Sequence, residues 1–117
     1  MRMAELPIEI DAATLEDALA RDEVVLVDVR EPYEWEAGRI PGAHHVPLDQ
    51  LGPRSGQAPL DGEKPIVFQC RVGGRSLLAA QAFRQHGYPA ASLQGGILDW
   101  AAGGRALEPD GGTVAEH

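Results

Sequence analysis

Pro65-Ile66-Val67-Phe68-Gln69, running into Cys70-Arg71-Val72-Gly73-Gly74-Arg75-Ser76, joins an apolar strand-like run to a glycine-bearing loop and then to a helix-forming segment. The apolar run has no polar alternation, as expected of a strand covered on both faces within a parallel sheet. The helix is read from about Ser76 to His86, with Gly87 stopping it. Its residues Leu77, Leu78, Ala79, Ala80, Ala82 and Phe83 leave little polar face, so deep packing is expected.

The same grammar recurs on either side. Glu23-Val24-Val25-Leu26-Val27-Asp28-Val29 is a second buried strand, followed by a short helix over 30–38 with Pro32 in its first turn. Ala90 to Leu93 reads as a third strand, and Gly95-Gly96 opens a short helix holding Trp100. Pro7 to Ile10 reads as an edge strand. Thr14-Leu15-Glu16-Asp17 has capping-box spacing, with Leu15, Ala18 and Leu19 on one helical face. His45-Val46-Pro47-Leu48 is at best a short strand, and Gly52 to Lys64 reads as loop. Strands alternating with helices imply βαβ units, a mostly parallel sheet and helices on both faces. In such sheets ligands gather beyond the carboxyl ends of the strands, where Cys70 lies.

The bulk numbers narrow the function. A chain of 117 residues fits one domain, and 44% hydrophobic with 24% charged residues excludes a disordered chain. No apolar run approaches the roughly 20 residues that span a bilayer, so no membrane partner is expected. Met1 to Ile10 lacks the basic end and apolar core of a secretory signal, which makes the cytoplasm the default compartment. A net charge of −8 opposes phosphate backbones, so no nucleic-acid partner is expected. The single cysteine cannot form an internal disulfide or a cysteine-rich zinc site; no metal and no cofactor are expected.

Base rates make a lone cysteine a small buried hydrophobe. The loop argues otherwise. A helix start offers backbone N–H groups without intrahelical partners, and Gly73 and Gly74 let that backbone turn inward. Arg71 and Arg75 add two charges. Such donors favour an anion, including the thiolate that is the nucleophilic form of cysteine. Two arginines and two glycines are a poor apolar niche, so Cys70 is expected to be catalytic. Cysteine phosphatases need five residues between the cysteine and the arginine that close around phosphate; here four separate Cys70 from Arg75. That ring is one residue short.

The segment Cys70-Arg71-Val72-Gly73-Gly74-Arg75-Ser76 resembles the active-site loop of the rhodanese family of sulfurtransferases. Val27-Asp28-Val29-Arg30-Glu31, Glu34-Trp35 and Gly38-Arg39-Ile40-Pro41-Gly42-Ala43 resemble the family's two early signatures, with Arg39 where histidine is common. Leu93-Gln94-Gly95-Gly96-Ile97-Leu98-Asp99-Trp100 resembles the closing one. The match runs from about Leu6 to Gly104. It implies a three-layer α/β/α domain over residues 1–104 with a mostly parallel five-stranded sheet; residues 105–117 are expected to form a flexible C-terminal tail.

The resemblance further implies a two-step transfer. A small anion such as thiosulfate gives its outer sulfur to Cys70, and a thiol or cyanide acceptor removes it from the persulfide. Backbone groups of Arg71, Val72, Gly73, Gly74, Arg75 and Ser76 would cradle the substrate, with Arg71 or Arg75 attracting the anion or bracing the loop. The same persulfide would serve a sulfur relay between donor and acceptor proteins, such as a cysteine desulfurase and its client. A phosphatase or arsenate reductase is disfavoured by loop length, and a silent binding module by the presence of the cysteine. Asp28 at its strand end is expected to be a brace held by Arg30 or loop N–H groups. Trp35 is placed at the pocket mouth or in the core. Gly95 and Gly96 are read as close-packing positions and Trp100 as core. His44 and His45 face opposite ways and are given no function.

Overall fold

The computed structural model describes residues 6–117; Met1–Glu5, part of the stretch read for a secretory signal, lie outside the described residues. The elements are β1 (Glu9–Ile10), α1 (Ala12–Ala20), β2 (Val25–Asp28), α2 (Pro32–Ala37), β3 (His44–His45), a single 3₁₀ turn (Leu48–Gln50), α3 (Leu51–Arg54), β4 (Ile66–Gln69), α4 (Gly74–Gln85), β5 (Ala90–Leu93) and α5 (Gly96–Ala102). They build one five-stranded sheet in the order β1-β5-β4-β2-β3, and every strand pair is parallel.

Alternation along the strands divides the core in two. Leu26, Val67 and Ala91 face α1 and α5, packing with Leu15, Ala18, Ile97 and Trp100. Val27, Phe68 and Ala90 face the other way, onto Leu51 of α3 and Ala79, Ala80 and Phe83 of α4. β4 and β5 are buried at every residue, as unalternating strands require. The fold is therefore three layers with the sheet in the middle. Among the described residues, no helix is long and apolar enough to cross a membrane.

Several local readings change. α1 is capped by Asp11, whose carboxylate accepts from the Thr14 N–H at 2.8 Å; Thr14 lies inside the helix instead of opening a capping box. The stretch read as loop from Gly52 begins inside α3. β3 occupies His44–His45, one residue earlier than expected. α4 starts at Gly74, two residues before the expected Ser76. Its apolar surface is not all buried: Leu78 is 64% exposed and Ala82 is exposed. One helix face meets the sheet, and an apolar residue on the opposite face has nothing to pack against.

The last segment, expected to form a flexible tail, contacts the domain at several points. Arg39 and Glu108 exchange backbone hydrogen bonds of 2.9 and 2.8 Å, Thr113 donates its N–H to the Ala37 carbonyl, and Leu107 and Val114 pack on the α1–α5 core. A glycine-rich composition hid these pairings. Gly38 permits the close approach, since a Cβ there would overlap the backbone of Thr113.

Candidate active site around Cys70

β4 ends at Gln69 and places Cys70 at the carboxyl edge of the sheet, with only 1% of its surface exposed. Gly73, at φ 113°, takes the left-handed backbone that turns the loop into α4. The turn brings two N–H groups onto the sulfur: Gly73 donates to Sγ at 3.2 Å and Ser76 at 3.4 Å. The Ser76 hydroxyl lies 3.4 Å from Sγ and 2.7 Å from the Ser92 hydroxyl. The Ser76 hydroxyl also donates to the Gly73 carbonyl at 3.2 Å, tying the start of α4 to the turn of the loop. Ser92 was not picked out from the sequence; its signal was one hydroxyl in the otherwise apolar run Ala90-Ala91-Ser92-Leu93.

The outer side of the loop is held by α5. The Ile97 N–H donates to the Cys70 carbonyl at 2.9 Å and the Leu98 N–H to the Arg71 carbonyl at 3.1 Å. A Cβ on Gly96 would overlap both carbonyls, which bears out its reading as a close-packing glycine. Trp100 is buried in the α1–α5 core, as read.

The two loop arginines part company. Arg75 makes a bidentate pair with Glu34, Nη1 to Oε1 at 2.8 Å and Nη2 to Oε2 at 3.0 Å. Glu34 is fully buried in α2 and also accepts the Glu31 N–H at 3.0 Å. Burial pushes the Glu34 carboxyl up, but the hydrogen bonds from Arg75 and Glu31 and the charges of Arg75 and Arg30 outweigh it, holding it below the usual 4.5. The Glu34 hydrogen bonds likewise raise Arg75. Arg71 is half-buried and, among the described residues, has no carboxylate partner; its Nε is buried without a hydrogen bond. Val72 stands 55% exposed on the same loop.

A carboxyl held low in the folded state stabilises the fold above its unfolded value and loses that contribution as pH falls through the folded value. Glu34→Gln is expected to lower the melting temperature at neutral pH and to flatten its decline between about pH 6 and pH 3. Thermal melts of both proteins across that range check this. An acid decline as steep in Glu34→Gln as in wild type would remove Glu34 from the account.

Asp28 and Arg30 are both fully buried and paired, Nη2 to Oδ2 at 2.7 Å. Asp28 stands beside Gln69 in the β2–β4 register, one residue before Cys70. His45 donates from Nε2 to the Arg30 carbonyl at 2.8 Å. Trp35, half-buried, stacks on His45 at 4.8 Å with the Arg39 guanidinium 4.9 Å from its ring centre. Arg39, the departure from the family pattern, thus serves Trp35 and the Glu108 pairing.

The chain matches the family model for the rhodanese-like domain over residues 11–103. A protein of Allochromatium vinosum named sulfurtransferase is 38% identical over 106 residues, covering 88% of this chain and 97% of that protein. The crystal structure of a rhodanese-related protein from Thermoplasma volcanium superposes with a TM-score of 0.74 at 26% identity, covering 86% of this chain and 97% of the other. That of a thiosulfate sulfurtransferase from Pseudomonas aeruginosa gives 0.77 at 29% identity, covering 86% of this chain but 20% of that longer one. A parallel three-layer fold, a cysteine cradled at the start of α4 and a family-model match over residues 11–103 lead to one conclusion: this chain belongs to the rhodanese-like domain family.

Proposed function

We propose that the protein is a sulfurtransferase that carries a sulfane sulfur on Cys70, taking it from thiosulfate or a persulfide donor and passing it to a thiophilic acceptor. The observation that carries this reading is the pair of N–H donors on Sγ, in a loop whose Arg71 guanidinium no carboxylate among the described residues neutralises. In the first step the Cys70 thiolate attacks the outer sulfur of thiosulfate; an S–S bond forms, the S–S bond of thiosulfate breaks, and sulfite leaves with the electron pair. In the second, cyanide attacks the outer sulfur of the persulfide, leaving as thiocyanate and returning the thiolate. A thiol acceptor instead leaves as its own persulfide. Neither step needs a general base once the thiolate exists, in keeping with Gln69, not a histidine, beside Cys70.

Fixed N–H dipoles stabilise anionic sulfur without reorganising during the reaction. Arg71 supplies the attraction that a surface of net charge −8 otherwise denies a dianion. Arg75 is already committed to Glu34, so its part is to hold the loop. The test is thiosulfate treatment followed by intact mass measurement and a thiocyanate assay. One added sulfur atom that cyanide removes is expected. Hydrolysis of an aryl phosphate without sulfur transfer would overturn the reading.

Arg71→Ala is expected to raise KM for thiosulfate by about tenfold while changing kcat by less than about threefold, the pattern of lost anion binding. Steady-state thiocyanate formation at several thiosulfate concentrations separates the two constants. Arg71→Lys should recover part of the loss by restoring the charge. An unchanged KM in Arg71→Ala would assign donor binding to the backbone alone.

A further inference from the structure

Among the described residues only two buried side chains carry an aliphatic hydroxyl, Ser76 and Ser92, and they are hydrogen-bonded to each other at 2.7 Å. Ser76 lies in the first turn of α4. Ser92 stands opposite Phe68 in the β4–β5 register. Two residues along β5 from Ala90, it shares the sheet face that α4 covers, an otherwise apolar layer. A hydroxyl buried there costs free energy unless it is satisfied. Ser76 satisfies it, and through Ser76 the pair reaches Sγ, 3.4 Å from the Ser76 oxygen.

Each hydroxyl has one proton and two lone pairs. The Ser76 proton goes to the Gly73 carbonyl at 3.2 Å. The 2.7 Å contact is then filled by the Ser92 proton and the 3.4 Å contact by the thiol proton of Cys70, both directed at the Ser76 oxygen. Loss of the thiol proton breaks this arrangement, because a lone pair of Ser76 would face an anionic sulfur. Turning the Ser76 proton from the carbonyl to Sγ removes the conflict. The carbonyl is not stranded, since it also accepts the Leu77 N–H at 3.0 Å. Ser92 keeps its proton on the Ser76 oxygen in both states, which holds that oxygen in place and polarises its O–H toward the sulfur.

We infer that Ser92 is a positioning residue for sulfur release: its hydroxyl sets Ser76 to donate to Sγ when that sulfur carries negative charge and to turn away when it is neutral. The inference rests on the sulfur-transfer reading. In the persulfide, Sγ is uncharged and the outer sulfur bears the charge, so the Ser76 proton stays on the Gly73 carbonyl. When cyanide attacks the outer sulfur, the S–S bond breaks and its electron pair goes to Sγ. Ser76 then turns to the departing thiolate, and neither serine gains or loses a proton. A donor that engages only as charge grows on Sγ lowers the barrier of this step without tightening thiosulfate binding.

Threonine and valine share a shape and differ by the hydroxyl, so Ser92→Thr and Ser92→Val separate the oxygen from the packing. Protein loaded with thiosulfate is desalted and mixed with cyanide, and the single-turnover rate of thiocyanate release reports the return step alone. Ser92→Val is expected to release sulfur about fivefold more slowly than wild type and Ser92→Thr within about twofold of it, the worth of one neutral hydrogen bond at the reacting atom. KM for thiosulfate is expected to stay within about twofold in both, unlike in Arg71→Ala. Ser92→Ala, which adds no bulk to the buried layer, should match Ser92→Val, and its cost should vanish in a Ser76→Ala background, since Ser92 acts through Ser76. Release from Ser92→Val as fast as from Ser92→Thr, or an undiminished cost of Ser92→Ala in Ser76→Ala protein, would overturn the assignment and leave sulfur transfer in place. No thiocyanate from wild type would overturn the sulfur-transfer reading and, with it, the part given to Ser92.

Discussion

Cys70→Ala is expected to leave no sulfur on the protein after thiosulfate treatment and to bring thiocyanate formation down to the uncatalysed background, a loss of at least about 10³-fold, since without the sulfur no covalent route exists. The outcome follows from the geometry. Gly73 and Ser76 aim their N–H groups at Sγ, so both donors serve one atom. Removing that atom leaves the donors facing a void too small to restore the chemistry. The replacement removes one buried sulfur from the α3–α4 core, so a fold loss of only about 1–2 kcal/mol is expected and the variant remains testable. Cys70→Ser sharpens the result. Its hydroxyl keeps the hydrogen bonds yet cannot hold a sulfane sulfur, so it too is expected to be inactive, with the loop intact. Intact mass spectrometry after thiosulfate reports the first step and thiocyanate the whole cycle. Appreciable thiocyanate from Cys70→Ala would place the chemistry elsewhere.

How much of this was legible from the sequence depends on range. β2, β4 and β5 were readable because each is a compact run of apolar residues with no alternation, and burial on both faces leaves that mark. The loop was readable because its glycines, arginines and cysteine are consecutive. The division of labour between Arg71 and Arg75 was not. It depends on Glu34, 41 residues from Arg75, which looks locally like an ordinary first-turn helix acid. Ser92 was hidden for the same reason, brought to Ser76 by the packing of α4 on β5 and by no local pattern. Leu78 shows the converse failure. Where Leu77 to Phe83 is apolar but for Gln81, periodicity cannot say which face is inside, and only the sheet's position reveals that Leu78 is outside. The contacts of the closing segment were not legible, because glycine and proline content reports local conformational freedom and not the availability of a partner such as Arg39 or Ala37.

The largest effect on stability is expected at Arg30. Its guanidinium binds Asp28 through Nε at 3.0 Å and Nη2 at 2.7 Å, and Nη2 also reaches the Gly38 carbonyl at 2.8 Å, all fully buried. Arg30→Ala strands the Asp28 carboxylate in the core and leaves that carbonyl without its donor, a penalty of about 3–5 kcal/mol. A domain of this size has only about 5–15 kcal/mol in total. At about 4–8 °C per kcal/mol, the melting temperature should fall by on the order of 15 °C or more. The cost arises from an uncompensated buried charge, not from any intrinsic strength of the pair. The double replacement of Asp28 by leucine and Arg30 by methionine removes both charges, and is therefore expected to be more stable than Arg30→Ala alone. Urea or thermal unfolding of the three proteins decides it. If the double variant is no better than the single one, packing of the Arg30 side chain and its bond to Gly38 outweigh the stranded charge. Residual folded Arg30→Ala, assayed well below its melting temperature, should retain thiocyanate formation within about threefold of wild type per folded molecule. The pair would then hold the floor beneath Cys70 without touching the sulfur, a division in which Asp28 and Arg30 carry the fold and Gly73, Ser76 and Arg71 carry the chemistry.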